Sequence, residues 1–406
     1  MKLWDLYRGR DYNIVPTLKR IKEAADYVGN PQKKFPAILV GGTNGKGSTS
    51  AFIERILRYH GLKTGWFISP HLISENERWR VNGRNIDDET LRSYVKDLRG
   101  VFERFSLTYF EAAVLIAILY FADSGVDVAV MEVGMGGRWD ATKVCDAGVV
   151  VITNVERDHT RWLGRNVEEI AEDKLNLYVS GKPLVIGSSR YPLYTKALEL
   201  GAEDLVVAGI DFTYSGSVKG LETFLEDYSF MDLHIDKVKL GLWGRWQVDN
   251  SAIGLTASRL FTELDPSTVR RSLEDTRWEG RMEILRRNPL LIVDGSHNPY
   301  AVAKVVKEVL KVFDVNVLFT GLKDKEWELS LEIIRRYTDM VYLTQVSYHR
   351  GESVANLYRV AKDLGFKKVE VLRTPAEVWS LDENILALGS LYLVGEIKEA
   401  RQHSVI

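Results

Sequence analysis

The chain has 406 residues, 45% of them hydrophobic and 27% charged, with a formal net charge of −2. That length exceeds one ordinary domain, so two are expected, and the composition is that of a globular rather than a disordered protein. The near-neutral charge argues against a general nucleic-acid binder. The single cysteine, Cys145, excludes an intrachain disulfide and fits a reducing compartment. The N-terminal MKLWDLYRGRDYN lacks the apolar core of a signal peptide, and the stretch Ala112 to Ala122 is too short to span a bilayer. A cytoplasmic protein without nucleic-acid or membrane partners is expected.

In chain order, the first strand is read at Ala37–Val40. The helix after it, over Ser48–His60, places Phe52, Ile56 and Tyr59 on one face and Gly61 at its C-terminal cap. Thr108–Asp123 reads as a buried helix. Val126–Val133, Gly148–Ile152, Leu184–Ile186 and Leu205–Val207 read as strands apolar on both faces, as parallel strands covered by helices must be. Asp211–Leu242 alternates apolar and polar residues, which predicts short antiparallel strands with one wet face. Beyond Pro289, strand-like runs at Leu290–Val293, Val315–Phe319, Val341–Thr344, Val369–Leu372 and Ser390–Val394 alternate with helical stretches. The expected fold is α/β. A P-loop parallel-sheet ATPase domain with a small appended antiparallel sheet covers residues 1–278, and a smaller Rossmann-like domain covers 279–406.

Chemistry first shows at Gly41-Gly42-Thr43-Asn44-Gly45-Lys46-Gly47-Ser48-Thr49, between the first strand and a helix. Glycines let backbone N–H groups converge on phosphate oxygens, and the helix N-terminus adds partial positive charge. Lys46 can reach the outer phosphates, and Ser48 or Thr49 can face a magnesium shell. The spacing departs from the Walker pattern, since only three residues separate Gly41 from Gly45. Neither glycine-rich loop fits G-x-G-x-x-G, so a dinucleotide oxidoreductase is not expected.

That loop resembles the GTNGKGS loop of the folylpolyglutamate/dihydrofolate synthase family within the Mur ligase superfamily. Further segments resemble the same family in the same order. They are Ser69-Pro70-His71-Leu72 with Glu77-Arg78, Thr108-Tyr109-Phe110-Glu111, Glu132 through Thr142, Thr153-Asn154 with Asp158-His159-Thr160, Asp173-Lys174, Gln247 with Asn250, Gly280-Arg281, Asp294 through Pro299, and Gly321 with Asp324-Lys325. The resemblance implies an ATP-dependent ligase that joins L-glutamate to a folate or dihydropteroate carboxylate through an acyl phosphate, releasing ADP and phosphate. Alternatives are a Mur-type ligase for another carboxylate and a non-catalytic ATP-binding relative. A monomer is expected.

Residue by residue, the resemblance implies that Asn44, Gly45, Lys46, Gly47, Ser48 and Thr49 hold ATP. Asn250, Arg281, Asp294 and His297 add contacts from the linker and the second domain. Lys46, Lys174 and His297 are the implied catalytic residues. Ser69, Glu132 and His159 are the candidate Mg²⁺ ligands. Lys174, otherwise readable as a solvated helix lysine, is implied to carry a carbamate. Phe110, Glu111 and Trp139 are the candidate acceptor contacts. Glu111 also completes a T-x-x-E capping box with Thr108, so cap and contact both stay open. Several positions depart from the family pattern. Glu279 replaces the proline of PGR, Trp139 a leucine, Trp246 the histidine of HQxxN, Lys143 the asparagine of DATN, and Asp173 the glutamate of Glu-Lys.

Overall fold

The computed structural model describes residues 2–7, 15–158 and 160–403. Its contacts divide the chain into two compact units. One is Met1–Ser217, Thr223–Gly241 and Trp246–Arg277; the other is Val218–Glu222, Leu242–Arg245 and Trp278–Ile406.

The first unit is built on eight strands: Ala37–Gly41 (β1), Thr64–Phe67 (β2), Trp79–Val81 (β3), Arg84–Asn85 (β4), Val128–Glu132 (β5), Ala147–Ile152 (β6), Leu184–Ile186 (β7) and Leu205–Val207 (β8). Their order is β4-β3-β2-β5-β1-β6-β7-β8. β2 through β8 pair in parallel apart from the antiparallel edge made by β3 and β4. β1 and β5 lie at the centre and are buried at every position. That burial explains why their sequences are apolar without alternation. The helix Tyr109–Ser124 is hydrophobic all round because it is enclosed, with Ala112 through Ile118 fully buried.

Three further strands, Thr213–Lys219 (β9), Glu222–Phe230 (β10) and Leu233–Leu240 (β11), form the expected small sheet in the order β11-β10-β9. β10 and β11 pair antiparallel, and β11 buries Leu233, Ile235, Val238 and Leu240 while Asp236 and Lys237 face solvent.

In the second unit, Glu283–Arg287 (β12), Leu290–Val293 (β13), Asn316–Phe319 (β14), Met340–Leu343 (β15), Lys368–Val371 (β16) and Ile385–Leu388 (β17) are ordered β12-β13-β17-β14-β15-β16. All pairs are parallel except β12 with β13. The last strand corrects the sequence reading. Ser390–Val394 is not a strand; β17 ends at Leu388, Gly389 turns the chain at φ 116°, and Leu391–His403 is a helix. The apolar run Leu391, Leu393, Val394 and Ile397 is the inner face of that helix, which a short apolar run cannot distinguish from a strand.

Among the described residues, no helix is long and apolar enough to cross a membrane.

Candidate active site

Strand β1 ends at Gly41, and the helix Lys46–Tyr59 begins five residues later. The turn between them has no room for side chains at two glycines. A Cβ on Gly42 (φ 135°) would lie 1.9 Å from Thr153 Oγ1, and one on Gly45 (φ 86°) would lie 2.4 Å from Asn250 Oδ1. Both positions demand glycine on conformation and on space. The loop is fixed from the end of β6: Asn154 Oδ1 accepts from Asn44 N at 3.0 Å, and Thr153 Oγ1 donates to Asn44 O at 2.7 Å. Ser48 and Thr49 are buried in the first turn of the helix, and Thr49 Oγ1 donates to Asn250 Oδ1 at 3.4 Å. Asn250, on the helix Trp246–Phe261, also donates to Gln247 Oε1 at 2.9 Å. The residues named for the nucleotide in this unit are therefore gathered at one place.

Two lysines converge on the same carbonyl. Lys46 Nζ donates to Gly42 O at 3.1 Å and to Thr43 O at 3.2 Å, while Lys174 Nζ donates to Gly42 O at 3.0 Å. Lys174 is not a solvated helix residue, being only 3% exposed. Burial, followed by the charge of Lys46, pulls its pKa down to about 7, against opposing pulls from Asp158, Asp173 and Asp140. A buried ammonium beside a second cation is costly, and such perturbed groups cluster where chemistry is done.

The glycine-rich turn after β5 packs against the helix of Lys174. A Cβ on Gly137 would lie 2.4 Å from Lys174 O, and one on Gly136 would lie 2.3 Å from Asp173 Oδ2. Gly137 N donates to Asp173 Oδ2 at 3.0 Å. The buried Asp140 shapes the same turn by accepting from Gly134 N, Met135 N and Thr142 N. Burial raises its pKa against those hydrogen bonds.

Glu132, last residue of β5, is 5% exposed, and its Oε2 accepts from Ser69 N at 3.3 Å. The structure thus brings two of the three candidate metal ligands together; the third, His159, lies outside the described residues. Among the described residues, no group of three or more His, Cys, Asp or Glu could alone hold a metal ion. A hard cation here would draw on the serine oxygen and on phosphate oxygens as well. Arg138 pairs with Glu172 at 3.4 Å.

The acceptor candidates separate. Phe110 packs on Phe67 at 5.8 Å between ring centroids, and its ring fills the space a Cβ on Gly134 would need, so it borders the glycine-rich turn. Glu111 serves as the cap. Its carboxylate closes the capping box with Thr108 and accepts from Arg20 at 2.8 Å. A cavity of about 570 Å³ lies beside it, lined by Tyr7, Arg20, Phe102, Leu107 and Thr108 among others. Trp139 is half exposed.

In the second unit, Asp294 follows β13 and accepts from Met282 N at 2.9 Å and Ser296 N at 2.8 Å. Burial raises its pKa, and the Arg281 guanidinium opposes that rise. Gly295 N donates to Gly280 O at 2.8 Å, which joins the turn of Arg281 to the turn of His297. Arg281, Asp294 and His297 are therefore placed together. Sequence reasoning passed over Asp140 and Asp173 as loop-shaping groups, although both stand inside segments it quoted. It also missed three buried hydroxyls, Ser296 Oγ, Thr320 Oγ1 and Thr344 Oγ1, at the carboxyl ends of β13, β14 and β15.

Residues 40–258 match the model of the Mur ligase middle domain, and residues 280–394 match that of the Mur ligase glutamate ligase domain. A probable bifunctional folylpolyglutamate synthase/dihydropteroate synthase of Haloferax volcanii is 31% identical over 432 residues, covering 100% of this chain and 50% of that protein. The chain thus spans about half the length of that relative. The dihydrofolate synthase/folylpolyglutamate synthase of Escherichia coli is 30% identical over 397 residues, covering 94% of this chain and 90% of its own. A crystal structure of Mycobacterium tuberculosis folylpolyglutamate synthase complexed with ADP and AMPPCP superposes with a TM-score of 0.90 at 26% identity, over 98% of this chain and 97% of that one. By these matches over nearly its whole length, the chain belongs to the dihydrofolate synthase/folylpolyglutamate synthase family of the Mur ligases.

Proposed function

We propose that this chain, as a cytoplasmic monomer, is an ATP-dependent ligase that joins L-glutamate to the carboxylate of a folate or a dihydropteroate. ADP and phosphate are the other products. The observation that carries the proposal is the placement of Lys46 and the buried Lys174 on one carbonyl of the phosphate loop, at the strand end beside Glu132.

A carboxylate resists attack by an amine because its carbon is shielded by negative charge. Transfer of the γ-phosphoryl group to a carboxylate oxygen forms an acyl phosphate and breaks the bond to ADP. The glutamate amine then attacks the acyl carbon, loses a proton, and expels phosphate. Such transfer depends on positioned cations and amides rather than on covalent help from the protein. Backbone amides over Asn44–Ser48 and the helix behind them cradle the phosphates, and Lys46 turns from the loop carbonyls to the outer phosphates. Ser69, Glu132 and His159 are the residues that would hold Mg²⁺. The ion supplies charge neutralisation at the transferring phosphoryl group.

Burial pushes the Lys174 amine toward its neutral form, and only a neutral amine adds to CO2. The N–C bond forms as a proton leaves, giving a carbamate whose oxygens are anionic. This exchanges a disfavoured buried cation for an anion that Lys46 can pair with. Arg281, Asp294 and His297 complete the nucleotide contacts, with residues 279–406 as the second domain. The hydroxyls of Ser296, Thr320 and Thr344 sit where an α/β sheet presents groups to a ligand, and they support binding of the amino acid by this domain. Phe110 and Trp139 offer rings for the acceptor.

The acyl phosphate is tested with an acceptor labelled with ¹⁸O in its carboxylate. One ¹⁸O per turnover is expected in the released phosphate. Unlabelled phosphate alongside amide product would rule out this route.

A further inference from the structure

Trp278, Glu279, Gly280 and Arg281 form the turn that opens the continuous part of the second unit, with Gly280 at φ 71°. A positive φ at the third position of a four-residue turn is type II geometry, which favours proline at the second position because its ring fixes φ. Here the second position is Glu279, whose backbone has no such ring.

Its side chain is tied instead. Lys398 Nζ donates to Glu279 Oε2 at 2.6 Å and to Glu283 Oε1 and Oε2 at 2.7 and 2.9 Å. Glu283 Oε2 also accepts from Gly280 N at 2.7 Å, so one carboxylate grips both the turn and the lysine. The Lys398 side chain is only 13% exposed, which shields the pair with Glu283 from solvent far more than a surface ion pair. The helix that carries Lys398, Leu391–His403, reaches the other nucleotide turn too. Leu391 occupies the space over Gly295, where a Cβ would meet Leu391 Cδ2 at 2.3 Å. Arg401 donates to Leu285 O at 3.0 Å and fastens the same helix to β12. One helix therefore braces the turn of Asp294 and the turn of Arg281 together.

We propose that Lys398 is a positioning residue for nucleotide binding: by clasping Glu279 and Glu283 it holds the turn that presents Arg281 to the phosphates. The proposal rests on the reading of Arg281 as a phosphate contact, and the experiment separates the two. Affinity for AMPPCP is measured by calorimetry on the full chain for wild type, Arg281→Ala, Lys398→Met, Lys398→Arg and Lys398→Met/Glu279→Pro, with thermal unfolding alongside. Misplacing a phosphate contact by a fraction of an ångström is expected to weaken affinity about tenfold in Lys398→Met. Lys398→Arg, which keeps the cation, and the double variant, which restores the turn by a ring, are expected to regain it. Wild-type affinity in Lys398→Met with loss in Arg281→Ala overturns the role of Lys398 and leaves the role of Arg281 intact, even if Lys398→Met melts earlier. Wild-type affinity in Arg281→Ala overturns both. Should Lys398→Met fail to fold, Glu279→Ala carries the test, because that side chain is 66% exposed. A loss of about threefold is expected there, and unchanged affinity overturns the proposal.

Discussion

Lys174→Met is expected to cripple turnover while making the fold more stable. The amine is buried, and its pKa falls to about 7 from 10.5 through burial first and the charge of Lys46 second. Below the folded pKa the wild type carries a buried cation that solvent would have stabilised, and methionine of similar length removes that cost. The gain should be a few kcal/mol at pH 6, by the linkage between pKa shift and stability. Between about pH 7 and 10.5 the unfolded chain binds more protons than the folded one at this site. In CO2-free buffer, where Lys174 is the free amine, wild-type stability therefore rises with pH across that window, and the rise should be missing in the variant. Turnover should fall about a thousandfold, the scale on which a preorganised electrostatic group acts. Denaturant unfolding against pH and steady-state phosphate release check the two halves. A gain in stability with loss of activity marks a group kept for chemistry. Loss of both would make Lys174 a structural cation.

Lys46→Met is expected to lower kcat/KM for ATP about a thousandfold with the fold intact. In the described structure this ammonium rests on the carbonyls of Gly42 and Thr43 at 3.1 and 3.2 Å. Those bonds are replaceable by phosphate oxygens when nucleotide enters. A second consequence follows from the shared carbonyl. Removing Lys46 deletes the like charge that lowers the Lys174 pKa, so that pKa should rise, and the pH-dependent gain in stability should begin at higher pH. Titration of stability in the variant checks the coupling; an unchanged window would mean that the two lysines do not sense each other.

What the sequence reveals about this site depends on how local the cause is. The phosphate loop is legible because glycine, lysine and hydroxyl residues stand in contiguous order between a strand and a helix. The structure adds why Gly42 and Gly45 tolerate nothing larger: Thr153 and Asn250, distant in sequence, occupy the space. The capping box of Glu111 is legible for the same reason. Its ion pair with Arg20, 91 residues away, is not. Burial of Lys174 cannot be read from a helix that alternates charged and apolar residues, since it arises where that helix meets the turn after β5. The sequence places the final strand at Ser390–Val394 rather than Ile385–Leu388 because both are short apolar runs, and only the turn at Gly389 separates strand from helix. Lys398 gives no sequence signal at all, because the turn it restrains lies 119 residues earlier in the chain.

The central claim is acceptor-dependent ligation. The direct measurement is phosphate release from ATP and Mg²⁺ with L-glutamate, offering dihydropteroate, a reduced folate monoglutamate, or no acceptor, with products identified by mass. Phosphate release that requires one of the two pteridine acceptors, matched by a product heavier by one glutamyl unit, is the expected result, and the acceptor used assigns the step. Nucleotide binding without turnover on either acceptor would contradict the claim and point to another carboxylate or to a non-catalytic relative.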